Sequence, residues 1–205
     1  MLRIAFAFLF FSTYLSSFGQ EGLSLSPKSQ YGFSFGINYP NLLYNNNLPG
    51  NATINNKVGA SLGISGNYRI SNLIVLAPKT EISFNRTRID FKNLDGTNQK
   101  YEVAPISLNA MLHARFNVNS AVGSTYFLVG PQVRVPLSNN SNSTTAFGTK
   151  SDFAIDLGIG WNKPFNNINF LPELRYSAGL LNINKNPAIK SLKLHTISLI
   201  FNFLG

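Results

Sequence analysis

The sequence predicts an all-β fold: an eight-stranded antiparallel up-and-down transmembrane β-barrel after a cleaved signal peptide. Three observations carry that expectation: strict two-residue alternation of apolar and small polar side chains, a shortage of charge, and connections that alternate between long and short. Alternation is clearest over residues 57–70. Val58, Ala60, Leu62, Ile64, Tyr68 and Ile70 hold one parity, and Lys57, Gly59, Ser61, Gly63, Ser65, Asn67 and Arg69 the other. Only Gly66 interrupts the apolar set. Successive side chains of a strand point to opposite faces, so this stretch is an extended ribbon with one oily and one polar side. Ordinary strands run to about five or six residues, whereas a tilted membrane crossing takes roughly nine to eleven. The ribbon has the length of a crossing.

Composition agrees. Charged residues make up 12% of the 205 residues, about half the soluble share of roughly 25%. Arg3, the apolar run 4–11 and Ser17-Phe18-Gly19 read as a signal peptide over residues 1–19, cleaved before Gln20. The apolar run is shorter than the ~20 residues that a membrane-spanning helix needs. A leader over 20–29 then precedes a barrel domain over 30–205. Without Arg3, sixteen Lys and Arg face eight Asp and Glu, a balance of +8. The positive residues are scattered and lack a nucleic-acid-binding motif, so nucleic acid is not an expected partner. The absence of cysteine excludes disulfides, thiolate metal sites and lipid attachment through an N-terminal cysteine.

In chain order, the first ribbon sets Tyr31, Phe33, Phe35, Ile37 and Tyr39 against Gly32, Ser34, Gly36 and Asn38, and is expected to end at Pro40. A polar loop over 40–56 leads to the ribbon at 57–70, and Ser71-Asn72 turns tightly into the third. There Leu76, Pro78, Ile82 and Phe84 oppose Lys79, Glu81, Ser83 and Asn85, and Pro78 is expected at a bulge because it removes a ladder donor. After a polar loop over 90–100 with an Asp95-Gly96 turn signal, the fourth ribbon turns Ala104, Ile106, Leu108, Ala110, Leu112, Ala114 and Phe116 outward. The fifth alternates Phe127, Val129, Val133 and Val135 with Tyr126, Leu128, Gln132 and Arg134, and a Ser, Asn and Thr loop over 138–150 follows.

The sixth ribbon sets Phe153, Ile155, Leu157, Ile159 and Trp161 against Asp152, Ala154, Asp156, Gly158 and Gly160. The seventh sets Phe170, Pro172, Leu174 and Tyr176 against Glu173, Arg175 and Ser177. The last ends on Ile197, Leu199, Phe201 and Phe203, but Leu192 and Leu194 take the opposite parity, which means a bulge or an inward leucine pair. An even number of ribbons joined by alternating long and short connections is the pattern of outer-membrane barrels, with both termini in the periplasm.

The bulky apolar face exceeds what the inside of eight strands can hold, so it is expected to face lipid. Tyr68, Phe116, Trp161 and Phe203 at one level and Tyr39, Tyr101 and Phe153 at the other would form two aromatic girdles. The narrow interior would then hold Arg69, Lys79, Arg115, Arg134 and Arg175 with Glu81, Asp152, Asp156, Glu173 and His113. Charges at that density are expected to pair. With two histidines in the chain, a nucleophilic site has few ways to form. His113 reads as a structural lumen residue, and His195 shares the lipid-side parity with Ile197, where with Lys193 it can touch lipopolysaccharide phosphates. No catalytic residue, metal site or cofactor is expected. At the outer rim Arg86, Arg88, Lys92, Lys100, Lys150, Lys185 and Lys190 outnumber Asp90, Asp95 and Glu102, which suits outer-membrane lipids and lipopolysaccharide as partners.

The order of Tyr31-Gly32-Phe33-Ser34-Phe35-Gly36-Ile37-Asn38, Glu81-Ile82-Ser83-Phe84, Tyr101-Glu102-Val103-Ala104-Pro105-Ile106, Phe127-Leu128-Val129-Gly130-Pro131, Asp156-Leu157-Gly158-Ile159-Gly160 and Pro172-Glu173-Leu174-Arg175-Tyr176 resembles the PorT-type outer-membrane barrels of Bacteroidota. The resemblance covers nearly all of the chain after the signal peptide. It implies an eight-stranded outer-membrane barrel from a family whose founding member is needed for type IX secretion, and it brings no catalytic residues. The 138–150 loop is not part of the family pattern. The expected function is thus a non-enzymatic structural or interaction barrel, accessory to type IX secretion, with other outer-membrane secretion components as partners. The alternatives are a narrow ion-conducting pore and a lipid A-modifying enzyme.

Overall fold

Each alternating stretch becomes a strand hydrogen-bonded to its neighbours. The computed structural model describes residues 28–44, 52–92, 98–118, 124–137, 149–165, 168–185 and 191–205. The expected signal peptide, nearly all of the leader, the Asp95-Gly96 turn signal and most of the 138–150 loop lie outside the described residues. Among the described residues twelve strands form: β1 (Ser29–Tyr44), β2 (Ala52–Asn55), β3 (Gly59–Arg69), β4 (Ile74–Phe84), β5 (Arg88–Lys92), β6 (Asn98–Glu102), β7 (Ile106–Asn117), β8 (Thr125–Pro136), β9 (Asp152–Trp161), β10 (Lys163–Phe165), β11 (Ile168–Gly179) and β12 (Leu192–Leu204).

Eight of them close into an antiparallel barrel, in the order β1-β3-β4-β7-β8-β9-β11-β12 and back to β1. One row of paired residues shows the stagger. Ser29 stands opposite Tyr68, and the row passes through Leu76, Ala114, Val129, Leu157, Tyr176 and Ile197 to reach β1 again at Tyr39. Ten residues separate Ser29 from Tyr39. Such a stagger requires strands tilted by roughly 35–45° from the barrel axis. The longer connections emerge at one end, the loop end, and the shorter ones, with the start of β1 and the end of β12, at the other, the turn end.

The apolar parity forms the outer wall. Phe33, Leu62, Ile64, Phe127, Leu157 and Ile197 are all more than half exposed. Phe33, Phe35, Phe170, Phe201 and Phe203 form one aromatic surface, with the Phe33 and Phe203 rings 5.2 Å apart. An apolar surface of this extent is compatible with lipid, not water. The closed ladder leaves the barrel backbone paired, as lipid demands.

Several local expectations are corrected. β1 continues through Pro40 to Tyr44. Tyr31 exchanges backbone hydrogen bonds with Gly205 on the β12 side, so even-numbered residues of β1 face β3 with their N–H groups. The β3 pairing ends at Asn38 opposite Gly59, so the donor that Pro40 lacks has nothing to meet. Pro78 makes no bulge either. Pairing of β3 with β4 lapses beside it, opposite Gly66, and resumes at Tyr68–Leu76 with the offset unchanged. The Tyr31 ring covers Gly66 at this weak point, where an added Cβ would lie 3.2 Å from it. In β12 the offset is constant throughout, which decides between the two expected alternatives in favour of an inward pair of Leu192 and Leu194. Ala104, expected on the outer wall, is buried with φ 44° just before Pro105, where the chain bends from β6 into β7.

The largest correction concerns two stretches expected as plain polar loops. β2, from the connection between β1 and β3, pairs with β5 of the β5–β6 hairpin that joins β4 to β7, giving a separate three-stranded sheet at the loop end. Tyr101 belongs to this sheet and not to a wall girdle. It packs edge-on to Phe91, the ring centroids 5.5 Å apart.

Candidate functional site

The polar parity of the eight strands lines the lumen, and the close approach of opposite walls forces its charges together. Nine of the ten side chains expected there are buried: Lys79, Glu81, His113, Arg115, Arg134, Asp152, Asp156, Glu173 and Arg175. Arg69 stands apart at the turn end, half-buried, and joins none of the ion pairs among the described residues. Four buried cations thus face four buried carboxylates, with His113 beside them.

Glu81 is the hub. Its Oε1 lies 2.9 Å from Lys79 Nζ and its Oε2 2.7 Å from Arg175 Nη2. Lys79 Nζ also donates to Asn202 Oδ1 at 2.8 Å, and Arg175 Nη1 contacts Met111 Sδ at 3.1 Å. Arg175 lies 4.0 Å from Glu173, which in turn accepts a hydrogen bond from the Tyr126 hydroxyl at 3.3 Å. A second pair joins His113 Nε2 to Asp156 Oδ2 at 2.8 Å. A third joins Arg134 Nη1 to Asp152 Oδ2 at 3.0 Å, and Arg134 also donates to the Leu194 carbonyl at 3.3 Å. Among the described residues Arg115 takes no carboxylate. It donates to Asn67 Oδ1 and lays its guanidinium 4.2 Å from the centre of the Tyr126 ring. Burying a charge without a partner costs several kcal/mol, about 3–5 when one member of a pair is removed, so this pairing is a condition of folding.

Both ends of the lumen are shut by apolar side chains. At the turn end Tyr126, Leu128, Leu171 and Leu204 form a buried cluster. Gly160 makes room for it, since a Cβ there would come within 2.4 Å of the Tyr126 ring. At the loop end Leu42, Leu192, Leu194 and Ile183 meet Ile89 and Val103, with Ile54, Phe91 and Tyr101 of the small sheet packed against them. The opposite face of that sheet is polar. Arg88 stands opposite Glu102 and Asp90 opposite Lys100, while Asp90 is also held by Arg88 at 3.2 Å and by Asn55 at 2.6 Å. Between the loop-end plug and the ion pairs lies a small polar cavity lined by Asn38, Asn85, Asn109, Gln132 and Arg134 among others.

The arrangement offers little chemistry. Asp152 and Asp156 do not act as a pair, because each is taken by a different base. Among the described residues no three His, Asp or Glu side chains converge as metal ligands would. His195 lies on the wall, where its Nδ1 is hydrogen-bonded to the Tyr176 hydroxyl. Sequence reasoning took Tyr126 no further than a strand face and gave Asn202 and Met111 no role. Their roles depend on strands far apart in sequence, and inward parity was the one signal that pointed to them.

A closed eight-stranded cylinder, oily outside and filled with paired charges, is a small transmembrane β-barrel. The sequence matches the family described as "Outer membrane protein beta-barrel domain" over residues 18–185, and the chain belongs to that family. It is an outer-membrane barrel. Among solved structures, Neisserial surface protein A is similar with a TM-score of 0.52 at 13% identity, over 87% of this chain and 96% of that one. The outer membrane protein OprG of Pseudomonas aeruginosa is similar with a TM-score of 0.48 at 11% identity, over 86% of this chain and 91% of that one. At these identities the likeness is one of fold alone. No curated relative matches the sequence.

Proposed function

We propose that the protein is a non-enzymatic structural or interaction barrel, closed to ions and solutes, which works through the polar face of its loop-end sheet as an accessory of type IX protein secretion. The observation that carries this reading is the double closure of the lumen. The loop-end plug of Leu42, Ile89, Leu192 and Leu194 and the turn-end plug of Tyr126, Leu128, Leu171 and Leu204 leave the polar interior between two apolar barriers. A barrel closed in this way has its outer surfaces left to act with. The resemblance to PorT-type barrels supports the secretion role and a source in Bacteroidota. It also supports a cleaved signal peptide over residues 1–19 and periplasmic termini, with the loop end outward. The partners on this reading are other secretion components at the sheet, and outer-membrane lipids and lipopolysaccharide around the wall. Of the rim cations Arg86, Arg88 and Lys92, Arg86 and Lys92 are exposed, whereas Arg88 is half-buried and engaged by Asp90.

Two measurements test the proposal. In planar bilayers the purified barrel is expected to give no discrete conductance; steps whose size changes when Arg115 or Arg134 is neutralised would establish the pore instead. Deleting the gene is expected to reduce export of type IX cargo in the secretome, and unaltered export removes the secretion role.

A further inference from the structure

The wall is not uniformly apolar. Of the six acidic residues among those described, four lie in the lumen and Asp90 and Glu102 in the loop-end sheet, so the wall carries no carboxylate there. Toward the loop end of the seam between β1 and β12, just beyond Tyr39 and Ile197, three polar side chains stand together on the outward parity. His195 lies directly opposite Asn41, and exposed Lys193 follows one outward step along, opposite Leu43. Two of the three have their donors directed by their surroundings. Asn56 Nδ2 donates to Asn41 Oδ1 at 2.9 Å, which leaves the Asn41 amide N–H groups available. When the Tyr176 hydroxyl donates to His195 Nδ1, the neutral ring carries its hydrogen on Nε2, and a protonated ring carries one there as well. The apolar residues Tyr39, Leu43 and Ile197 around the patch, all close to half exposed, place these donors where acyl chains give way to headgroups.

We propose that Lys193, His195 and Asn41 form a site for the phosphate of an outer-leaflet glycolipid, with Tyr176 as the positioning residue that orients His195. The proposal rests on the orientation given above, with the loop end outward. Binding in detergent has no sidedness, so the site and the orientation fail separately. The orientation is read by labelling a C-terminal epitope on intact cells, which should be inaccessible.

The site is tested by native mass spectrometry of the full chain in detergent, titrated with diphosphoryl lipid A, dephosphorylated lipid A or inorganic phosphate. Wild type is expected to retain diphosphoryl lipid A, and the Lys193→Ala/His195→Ala double variant to bind it about tenfold more weakly, as the loss of charge-assisted hydrogen bonds implies. Lys193→Arg should keep the adduct. Lys163→Ala, which removes an exposed cation at the turn end, should leave it unchanged. Tyr176→Phe should weaken it and shift the imidazole nitrogen resonances of His195. Equal retention of dephosphorylated lipid A, no loss in the double variant, or an equal loss in Lys163→Ala would overturn the site. Displacement of lipid A by equimolar inorganic phosphate would overturn the lipid as its ligand. Lys163, Tyr176 and Lys193 are exposed and His195 is half-buried on the wall, and a change of gel mobility on boiling, which a closed barrel gives, checks that each variant still closes.

Discussion

The two ends of the barrel are closed by the same class of side chain supplied in different ways. At the turn end the plug comes from the strands themselves: Tyr126 and Leu128 of β8, Leu171 of β11 and Leu204 of β12 each take an inward position that a polar residue holds elsewhere along the strand. At the loop end the strands supply Leu42, Leu192 and Leu194, and the remainder arrives from a second sheet built from two separate connections. The turn end is thus closed by the barrel alone. The loop end is closed by an added element with two faces, one apolar and spent on closure, the other polar and free to present a surface. On the proposed reading, this asymmetry is the reason to look for the interaction surface at the loop end.

Between the two plugs the ion pairs set the largest expected effect. Glu81→Ala leaves Lys79 and Arg175 buried without their shared carboxylate and is expected to cost about 3–5 kcal/mol. Denaturant unfolding in lipid vesicles measures it, and a loss within error of zero would mean that the lumen is hydrated enough to tolerate free charge. Ile89→Ala comes next. Ile89 is fully buried in the loop-end plug, so the cavity should cost about 2–4 kcal/mol. Because that plug is an added element, hydrogen exchange should quicken in β2, β5 and β6 while the barrel strands stay protected. Uniform quickening would show that sheet and barrel unfold as one unit and would weaken the contrast between the ends. Gly160→Ala is the smallest and acts at the turn end. Its methyl would meet the Tyr126 ring, and the displacement should cost about 1–3 kcal/mol. There is no separate element to absorb it, so the loss is expected in the global transition, with the Tyr126 contacts to Arg115 and Glu173 broken together.

Much of the barrel was legible because alternation has a direct physical meaning. Residues 57–70, 104–116 and 152–161 each showed a parity that the structure keeps, apart from Ala104, where the chain bends before Pro105. The inward placing of Lys79, Glu81, Asp156 and Arg175 came from parity alone. What parity does not carry is distance around the cylinder, so the choice of Glu81 as partner to Arg175, 94 residues away, was beyond it. Proline misled twice for a single reason. At Pro40 and Pro78 the cost of a missing donor depends on which neighbour the N–H would have faced, and that follows from register. The small sheet escaped notice because β2, β5 and β6 are too short for alternation to stand out, and asparagine-rich and glycine-containing surroundings read as loop.

By itself the sequence determined the number of barrel strands and the face that nearly all of their side chains take, since those follow from a two-residue period that needs no knowledge of neighbours. The tertiary structure alone decided the ten-residue stagger, the partner of each lumen charge and the closure of the loop end by a second sheet. Those depend on which strands meet across the barrel, and a buried charge or an inward leucine finds its partner only after the cylinder has closed.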